Sequence, residues 1–188
     1  VLFQPLISRN ANFFTPQEEK VMKTQVLFII IPILLFGLTS CESQSTQDRV
    51  SAALGIDASE AEVLSEIDDH GGFHGDGTAI IVLDCAGTDL SDQISEAEEW
   101  KPFPLDDTVM ALVYGVKEGT ASIGPYLTDE EGEPVIPDIE LGSYRLIDRQ
   151  AEEGIAAGAD ILHRSSFNFT LGIYDTDAER LYFCEMDT

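Results

Sequence analysis

The sequence predicts an α+β fold: an antiparallel sheet of about five strands in two hairpins, with two or three helices packed on one face. One observation is that strand-like segments come in neighbouring pairs, at residues 61–83 and 166–187, each joined by polar or glycine-rich residues. Another is that the helical patterns lie together between these pairs. A parallel α/β sheet would need regular alternation of strand and helix, which is missing.

The first predicted element is a helix that ends at Leu54. Ser45 or Thr46 offers the side-chain oxygen that caps a helix start, and Gly55 suits the left-handed position at a helix end. The apolar side of this helix carries Val50, Ala53 and Leu54.

The next two elements are strands of a long-looped hairpin. Residues 61–68 alternate apolar and acidic side chains as a half-exposed strand does, although Ser59 and Glu62 also have the spacing of a helix capping box. The glycine-rich residues 71–77 are unsuited to a helix, and the β-branched run 78–83 follows them. We therefore predict a strand on each side of this loop.

The middle of the chain predicts two helices. Residues 89–100 have helical spacing, and prolines at 102 and 104 end the pattern. Their apolar stripe consists of Leu90, Ile94, Ala97 and Trp100. A second, short helix is predicted from Asp106 or Asp107 to Tyr114, although Val109, Leu112 and Val113 would also suit a strand. Residues 117–142 are rich in loops.

The C-terminal part predicts three strands. Residues 143–149 form one strand, residues 150–160 a connector, and residues 166–174 and 180–187 a hairpin. One face of this hairpin carries core side chains: Phe167, Phe169, Leu171 and Ile173. The acidic turn at 175–179 begins like a calcium loop, but Arg180 replaces the glycine that such a loop requires, so a plain turn is predicted.

Residues 22–41 have the pattern of a secretory signal. A lysine-bearing start precedes an apolar run at 26–38, which is shorter than the roughly 20 residues of a membrane-spanning helix. The last four residues, Leu38-Thr39-Ser40-Cys41, resemble the lipobox of bacterial lipoproteins. The resemblance implies a diacylglyceryl group on Cys41, cleavage just before it, and a lipid anchor on the extracytoplasmic face of the cell membrane.

These patterns divide the chain into four parts. Residues 1–21 precede the expected start at Met22 and are predicted to be translated upstream leader. Residues 22–40 are the signal peptide, 41–47 a polar tether, and 48–188 a single acidic α+β domain.

Negative charge dominates the composition. The formal net charge of the whole chain is −25, and that of residues 41–188 alone is about −26, because residues 1–40 carry one net positive charge. This charge excludes nucleic acid as a partner and disfavours attraction to anionic lipid, so the lipid on Cys41 must hold the protein at the membrane. One explanation of such acidity is that it keeps a secreted domain soluble. The more specific alternative is that it attracts a cationic protein or peptide partner, or loosely held Ca²⁺.

The most chemically suggestive segment is the Asp/His/Gly loop at residues 68–77. Imidazole and carboxylate are ligands for a divalent metal ion such as Zn²⁺ or Mn²⁺. The candidate ligands are His70, His74, Asp68, Asp69 and Asp76. The alternative is a glycine-rich hairpin whose Asp and His side chains bind the turn backbone, and the lack of an HExxH motif favours it.

No catalytic residue is predicted. The chain lacks a Gly-x-Ser-x-Gly elbow, a GxGxxG loop and a phosphate-binding loop with lysine. Cys85 and Cys184 each lie near the end of a predicted strand, and they form either a disulfide or two buried free thiols.

The domain is similar to small secreted or lipid-anchored proteins of Gram-positive gut bacteria, on the evidence of residues 68–77 and 164–188. This resemblance implies a cell type and no activity. We therefore expect a cell-surface, lipid-anchored accessory or binding lipoprotein that is not a catalyst. The alternatives are a metal-binding or metal-dependent hydrolytic domain built on residues 68–77, and an inhibitor or immunity-type protein for a cationic partner.

Overall fold

The computed structural model describes residues 44–71, 75–152 and 160–188, and its central feature is a six-stranded antiparallel sheet. The strand order across this sheet is β1-β2-β8-β7-β6-β3. Its strands are β1 (Glu62–Asp68), β2 (Gly77–Asp84), β3 (Lys101–Pro102), β6 (Gly142–Asp148), β7 (Asn168–Asp175) and β8 (Arg180–Asp187). A separate two-stranded hairpin consists of β4 (Val116–Glu118) and β5 (Ala121–Ile123).

The described residues contain four α-helices and one 3₁₀ turn. These are α1 (Thr46–Leu54), α2 (Leu90–Glu96), α3 (Asp107–Val113), α4 (Arg149–Glu152) and the 3₁₀ turn Ile161–His163. None of the helices in these residues combines the length and the apolar character needed to cross a membrane. The mixed α+β class predicted from the sequence is confirmed.

Helix α1 has the predicted start and end. The Ser45 side chain accepts a hydrogen bond from the backbone N–H of Asp48 at 3.1 Å, and the Asp48 carboxylate accepts one from the Ser45 N–H at 3.2 Å. This reciprocal pair is a capping box. Gly55 ends the helix with φ at +63°.

The main sheet has apolar cores on both faces, which corrects the prediction of helices on one face. Leu181 and Phe183 of β8 belong to the core that includes α1 and α2. Tyr182 and Cys184, between and beyond them in β8, belong to the core that includes α3. Consecutive side chains of β7 and β8 point to opposite faces of the sheet, and both sets are buried. Each face therefore needs its own covering layer.

The two predicted hairpins are confirmed, and the missed strands are short. Strands β1 and β2 pair antiparallel, as do β7 and β8, where Asp175 accepts hydrogen bonds from two turn N–H groups at 3.0 Å. The sheet exceeds the predicted five strands because it includes β3. That strand has two residues, and β4 and β5 have three each, too few to show a period-2 pattern.

The boundaries of α2 also differ from the prediction. The helix ends at Glu96 rather than at Trp100, although the Trp100 side chain is buried in the core beside Leu54 as its stripe position predicted. The residues predicted to be an upstream leader and a signal peptide lie outside the described residues, as do Cys41 and most of the connector predicted at 150–160.

Cys85 and Cys184 are both buried and free. Cys85 belongs to the core with α1 and α2, whereas Cys184 belongs to the core with α3. The sheet therefore separates the two thiols in this fold.

Candidate functional site

The structure draws part of the Asp/His/Gly loop into a closed network of charges, here called the charged ring. It lies on the face of the sheet covered by α1, where β1, β2, β8 and β7 carry Asp68, Ala79, Glu185 and Thr170 in register. The ring consists of Arg49, Asp68, His70, Arg149, Glu185 and Asp187.

Arg49 forms one side of the charged ring from helix α1. Its Nη1 lies 2.7 Å from Asp68 Oδ2, and its Nη2 lies 2.6 Å from Glu185 Oε2. Burial alone would raise the pKa of the Asp68 carboxyl, but hydrogen bonds from Arg49 and His70 outweigh it and lower that pKa to about 2.

Arg149 forms the opposite side, immediately after β6. Its Nη1 lies 3.2 Å from Glu185 Oε1, and its Nη2 lies 2.8 Å from Asp187 Oδ1. Thr170 also donates to Glu185 Oε1 at 3.3 Å. Glu185 is therefore held from several sides, and its side chain is only 13% exposed.

His70 closes the ring between two carboxylates. Its Nδ1 lies 2.7 Å from Asp68 Oδ1 and its Nε2 lies 3.1 Å from Asp187 Oδ2. Both imidazole nitrogens of His70 therefore contact protein carboxylates. The ring ties helix α1 and the ends of β1, β6 and β8 together, and its members bind one another, as expected of a stabilising network.

The metal-site hypothesis gains no support from the described residues. Among them, no three His, Cys, Asp or Glu side chains are arranged to hold a metal ion. Asp68 and His70 belong to the charged ring. The Asp69 carboxylate accepts a hydrogen bond from Thr78 N, and Asp76 is exposed. His74 lies outside the described residues.

These contacts agree with the alternative prediction, a hairpin whose acidic side chains bind the backbone. Besides the bond to Asp69, the N–H of His70 donates to Asp68 Oδ1 at 3.0 Å. Both carboxylates thus hold backbone donors at the base of the loop.

An open groove of about 580 Å³ lies on the opposite face of the sheet, beside β1 and β2. We call it the β1 groove. Apolar side chains form part of its surface: Ile67, Ile80, Tyr126 and Val135. Acidic and hydroxyl side chains complete it: Asp69, Asp129, Glu130, Glu131, Thr78 and Thr128.

Ile67 is the most exposed apolar side chain of the β1 groove. It is 61% exposed although it lies in a strand and pairs with Ile80 of β2. Helix α3 contributes Val109 and Leu112 to the core on this face, whereas most of the Ile67 side chain remains exposed.

The acidic wall of the β1 groove is an internally bonded turn at residues 128–134. Asp129 Oδ1 accepts from the backbone N–H groups of Glu131 and Glu133 at 3.0 and 2.9 Å. The bridge between Thr128 and Pro134 closes the turn. The wall is therefore formed before any ligand arrives.

Helix α3 holds this turn in place. The carbonyl of Leu112 accepts hydrogen bonds from the N–H groups of both Tyr126 and Leu127, at 2.9 and 3.2 Å. Leu127 is fully buried, and the Tyr126 ring packs edge-on against Phe167 at 4.7 Å between centroids. The groove wall is thereby joined to the core that includes α3.

A smaller groove of about 280 Å³ lies beside β3, near the other edge of the sheet. Its surface includes Phe103 and the exposed side chains of Met110 and Leu141, with Asp138 and Glu140 beside them. It offers about half the volume of the β1 groove.

Sequence reasoning missed the β1 groove. The sequence predicted a loop-rich segment at 117–142 and a strand that contains Ile67, and both predictions are confirmed. The acidic run at 129–131 was the available signal, but nothing in the sequence places it opposite β1 and β2. Neither the ion pair of Arg49 with Glu185 nor that of Arg149 with Asp187 was predicted, because each joins distant segments.

Comparisons with protein families, curated proteins and solved structures found no match to this chain. The site is therefore interpreted from its own geometry and chemistry.

Proposed function

We propose that the protein is a lipid-anchored binding protein on the extracytoplasmic face of the cell membrane, and that its β1 groove holds a cationic ligand with apolar groups. The single observation that carries this proposal is the groove itself: about 580 Å³, with apolar side chains beside an acidic wall. Binding sites of this kind combine apolar contact with a few fixed charges.

The charges of the groove select the sign of the ligand. Asp129, Glu130 and Glu131 are exposed and consecutive at its wall, and Asp69 lies in the same groove. The net charge of −25 attracts a cation from a distance and repels anions. A lysine-rich or arginine-rich peptide fits, because its aliphatic stems can cover Ile67 and Val135 while its charged heads reach the wall.

The lipid anchor in this proposal is supported by the lipobox at residues 38–41. A soluble domain of this charge would be repelled by an anionic membrane surface, so retention depends on the acyl chains. Changing Cys41 to Ala is expected to move the protein from the membrane fraction to the medium or the soluble fraction. Unchanged retention of this variant would overturn the lipid-anchor part of the proposal.

Binding is tested with a defined probe, a nine-residue peptide of alternating Lys and Val with blocked termini. Isothermal titration calorimetry at low salt measures its affinity. Ile67→Lys is expected to weaken binding by roughly tenfold or more, because it places a cation in the groove. Leu64→Lys is the matched control, since Leu64 is 45% exposed on the same strand but does not line the groove.

The acidic wall is tested by neutralisation. A Glu130→Gln, Glu131→Gln double variant is expected to weaken binding and to reduce its salt dependence. The control is the Glu98→Gln, Glu99→Gln double variant, which removes the same charge from two exposed residues outside the groove. Equal effects of the two double variants, or of the two lysine variants, would overturn the assignment of the groove.

An inhibitor of a cationic protein would use the same acidic groove and is a special case of this proposal. The described residues offer the metal-dependent alternative no supporting observation.

A further inference from the structure

One edge of strand β1 adjoins the β1 groove and has no paired strand in the part of the chain that the structure describes. We infer that the ligand is an extended basic peptide that adds to the sheet as a further strand along this edge. The inference rests on the proposed function and specifies how the ligand is held: main-chain hydrogen bonds to β1 supply part of the affinity, and the groove reads alternate side chains.

Among the described residues, β1 is the first strand of the main sheet and β2 is its one neighbour. The N–H of Asp69, just after β1, donates to Thr78 O at 3.1 Å, so Asp69 directs its backbone groups toward the β2 side. Hydrogen-bonded and non-hydrogen-bonded pairs alternate along an antiparallel ladder. Asp68 and Glu66 lie one and three residues before Asp69. They therefore direct their backbone N–H and C=O groups away from β2.

The edge of β1 has acidic side chains and one bulge, which protect a sheet edge from neutral or acidic strands, but its charges do not oppose a basic strand. Protein edges are commonly blocked by lysine, proline or a bulge. Glu62–Asp68 contains neither lysine nor proline, and its single irregularity lies between Val63 and Ser65. The segment from Ser65 to Asp68 keeps regular pairing with β2 and presents an unbroken template.

The groove lies on one face of this template. Ile67 pairs with Ile80, and both line the groove. Because side chains alternate between faces, every second side chain of an added strand would point to the groove side, and one of them would lie beside Ile67.

The residues between them would stand beside Glu66 and Asp68 on the other face. Both of these residues are exposed, and Glu66 is already within hydrogen-bonding distance of Thr46 Oγ1 at 2.7 Å. Asp68 on that face is already paired with Arg49 at 2.7 Å, so the favoured register of an alternating Lys/Val strand directs its lysines to the groove and the acidic wall, and its valines to the side of Glu66 and Asp68.

The experiment separates backbone pairing from groove contact. Glu66→Pro removes the outward N–H without removing a donor to β2, and Glu66→Ala is the matched control, because it removes the same side chain and keeps the N–H. Titration with the same Lys/Val peptide is expected to give roughly tenfold or greater weakening in Glu66→Pro relative to Glu66→Ala. Thermal unfolding of both variants checks that the sheet is intact.

A second measurement leaves the protein unchanged. The Lys/Val peptide methylated at every backbone nitrogen of its five central residues keeps its side chains but cannot donate main-chain hydrogen bonds. Wild-type protein is expected to bind it at least tenfold more weakly than the parent peptide. Equal binding of the methylated and parent peptides overturns strand addition. The groove proposal is then tested separately, by comparing the peptide affinity of Ile67→Lys with that of Leu64→Lys.

Discussion

Arg49 Nη2 lies 2.6 Å from Glu185 Oε2, an ion pair that joins helix α1 to strand β8 across 136 positions of the chain. Changing Arg49 to Met keeps much of the aliphatic part of the side chain. It removes the guanidinium that pairs with Asp68 and with the poorly exposed Glu185. We expect the free energy of unfolding to fall by about 2 kcal/mol in urea denaturation. Lys117→Met, which removes one cation from an exposed position, is the control and should change stability by less than about 0.5 kcal/mol.

The pKa of about 2 at Asp68 predicts how stability depends on acid. The folded-state pKa lies below the ordinary value of 3.8, so the ionised carboxylate stabilises the fold above about pH 4, and this contribution is lost as the pH falls toward 2. Its size is on the order of 1 kcal/mol, because the side chain is 32% exposed and solvent screens the pair.

Comparing wild type with Asp68→Asn isolates this carboxylate. The difference in their free energies of unfolding should be constant above about pH 5 and should shrink progressively below pH 4. A difference that grows on acidification would contradict the assigned shift.

Gly172 makes room for two large side chains in the core that includes α1 and α2. A Cβ at this position would lie 2.8 Å from Leu54 Cδ1 and 2.9 Å from Trp100 Cη2, and both side chains are buried. Gly172→Ala is therefore expected to lower the free energy of unfolding by about 1–3 kcal/mol through overpacking. At Gly71 the nearest atom of the described residues to an added Cβ is 3.6 Å away, so Gly71→Ala should leave the melting temperature nearly unchanged.

Both core cysteines are expected to be unreactive until the protein unfolds. Burial raises the pKa of Cys85 to about 11 and that of Cys184 to about 12, which removes the reactive thiolate near neutral pH. In the Cys41→Ala chain, a thiol reagent at about pH 8 should find two thiols after unfolding without reductant, and almost none before it. Fewer than two thiols after unfolding would show that a disulfide forms.

The predictions that succeeded depend on residues close together in the chain. Ser45, Asp48 and Gly55 delimit α1 through local hydrogen bonds and a left-handed turn. The alternation in residues 166–187 likewise predicted β7 and β8, because a strand pattern needs only neighbouring positions.

The candidate site could be predicted only in part. Asp68 and His70 were singled out for their chemistry, as backbone-binding residues of a hairpin or as metal ligands, but the ion-pair network was not predicted, because their partners Arg49 and Asp187 come from other segments. Ile67 was expected to lie in a strand. Its exposure depends on where α3 packs, which local patterns do not encode.

The sequence by itself determined the antiparallel α+β class, the two hairpins, the start and end of α1 and the strongly acidic composition, since each follows from local periodicity, turn chemistry or a count of residues. The tertiary structure decided that helices cover both faces of the sheet, that Cys85 and Cys184 are on opposite sides of it, and that the turn at 128–134 faces β1 and β2. These outcomes depend on contacts between distant segments, which many sequences of the same local pattern could arrange differently. The β1 groove is one of these outcomes, because its apolar and acidic surfaces meet only after the chain has folded.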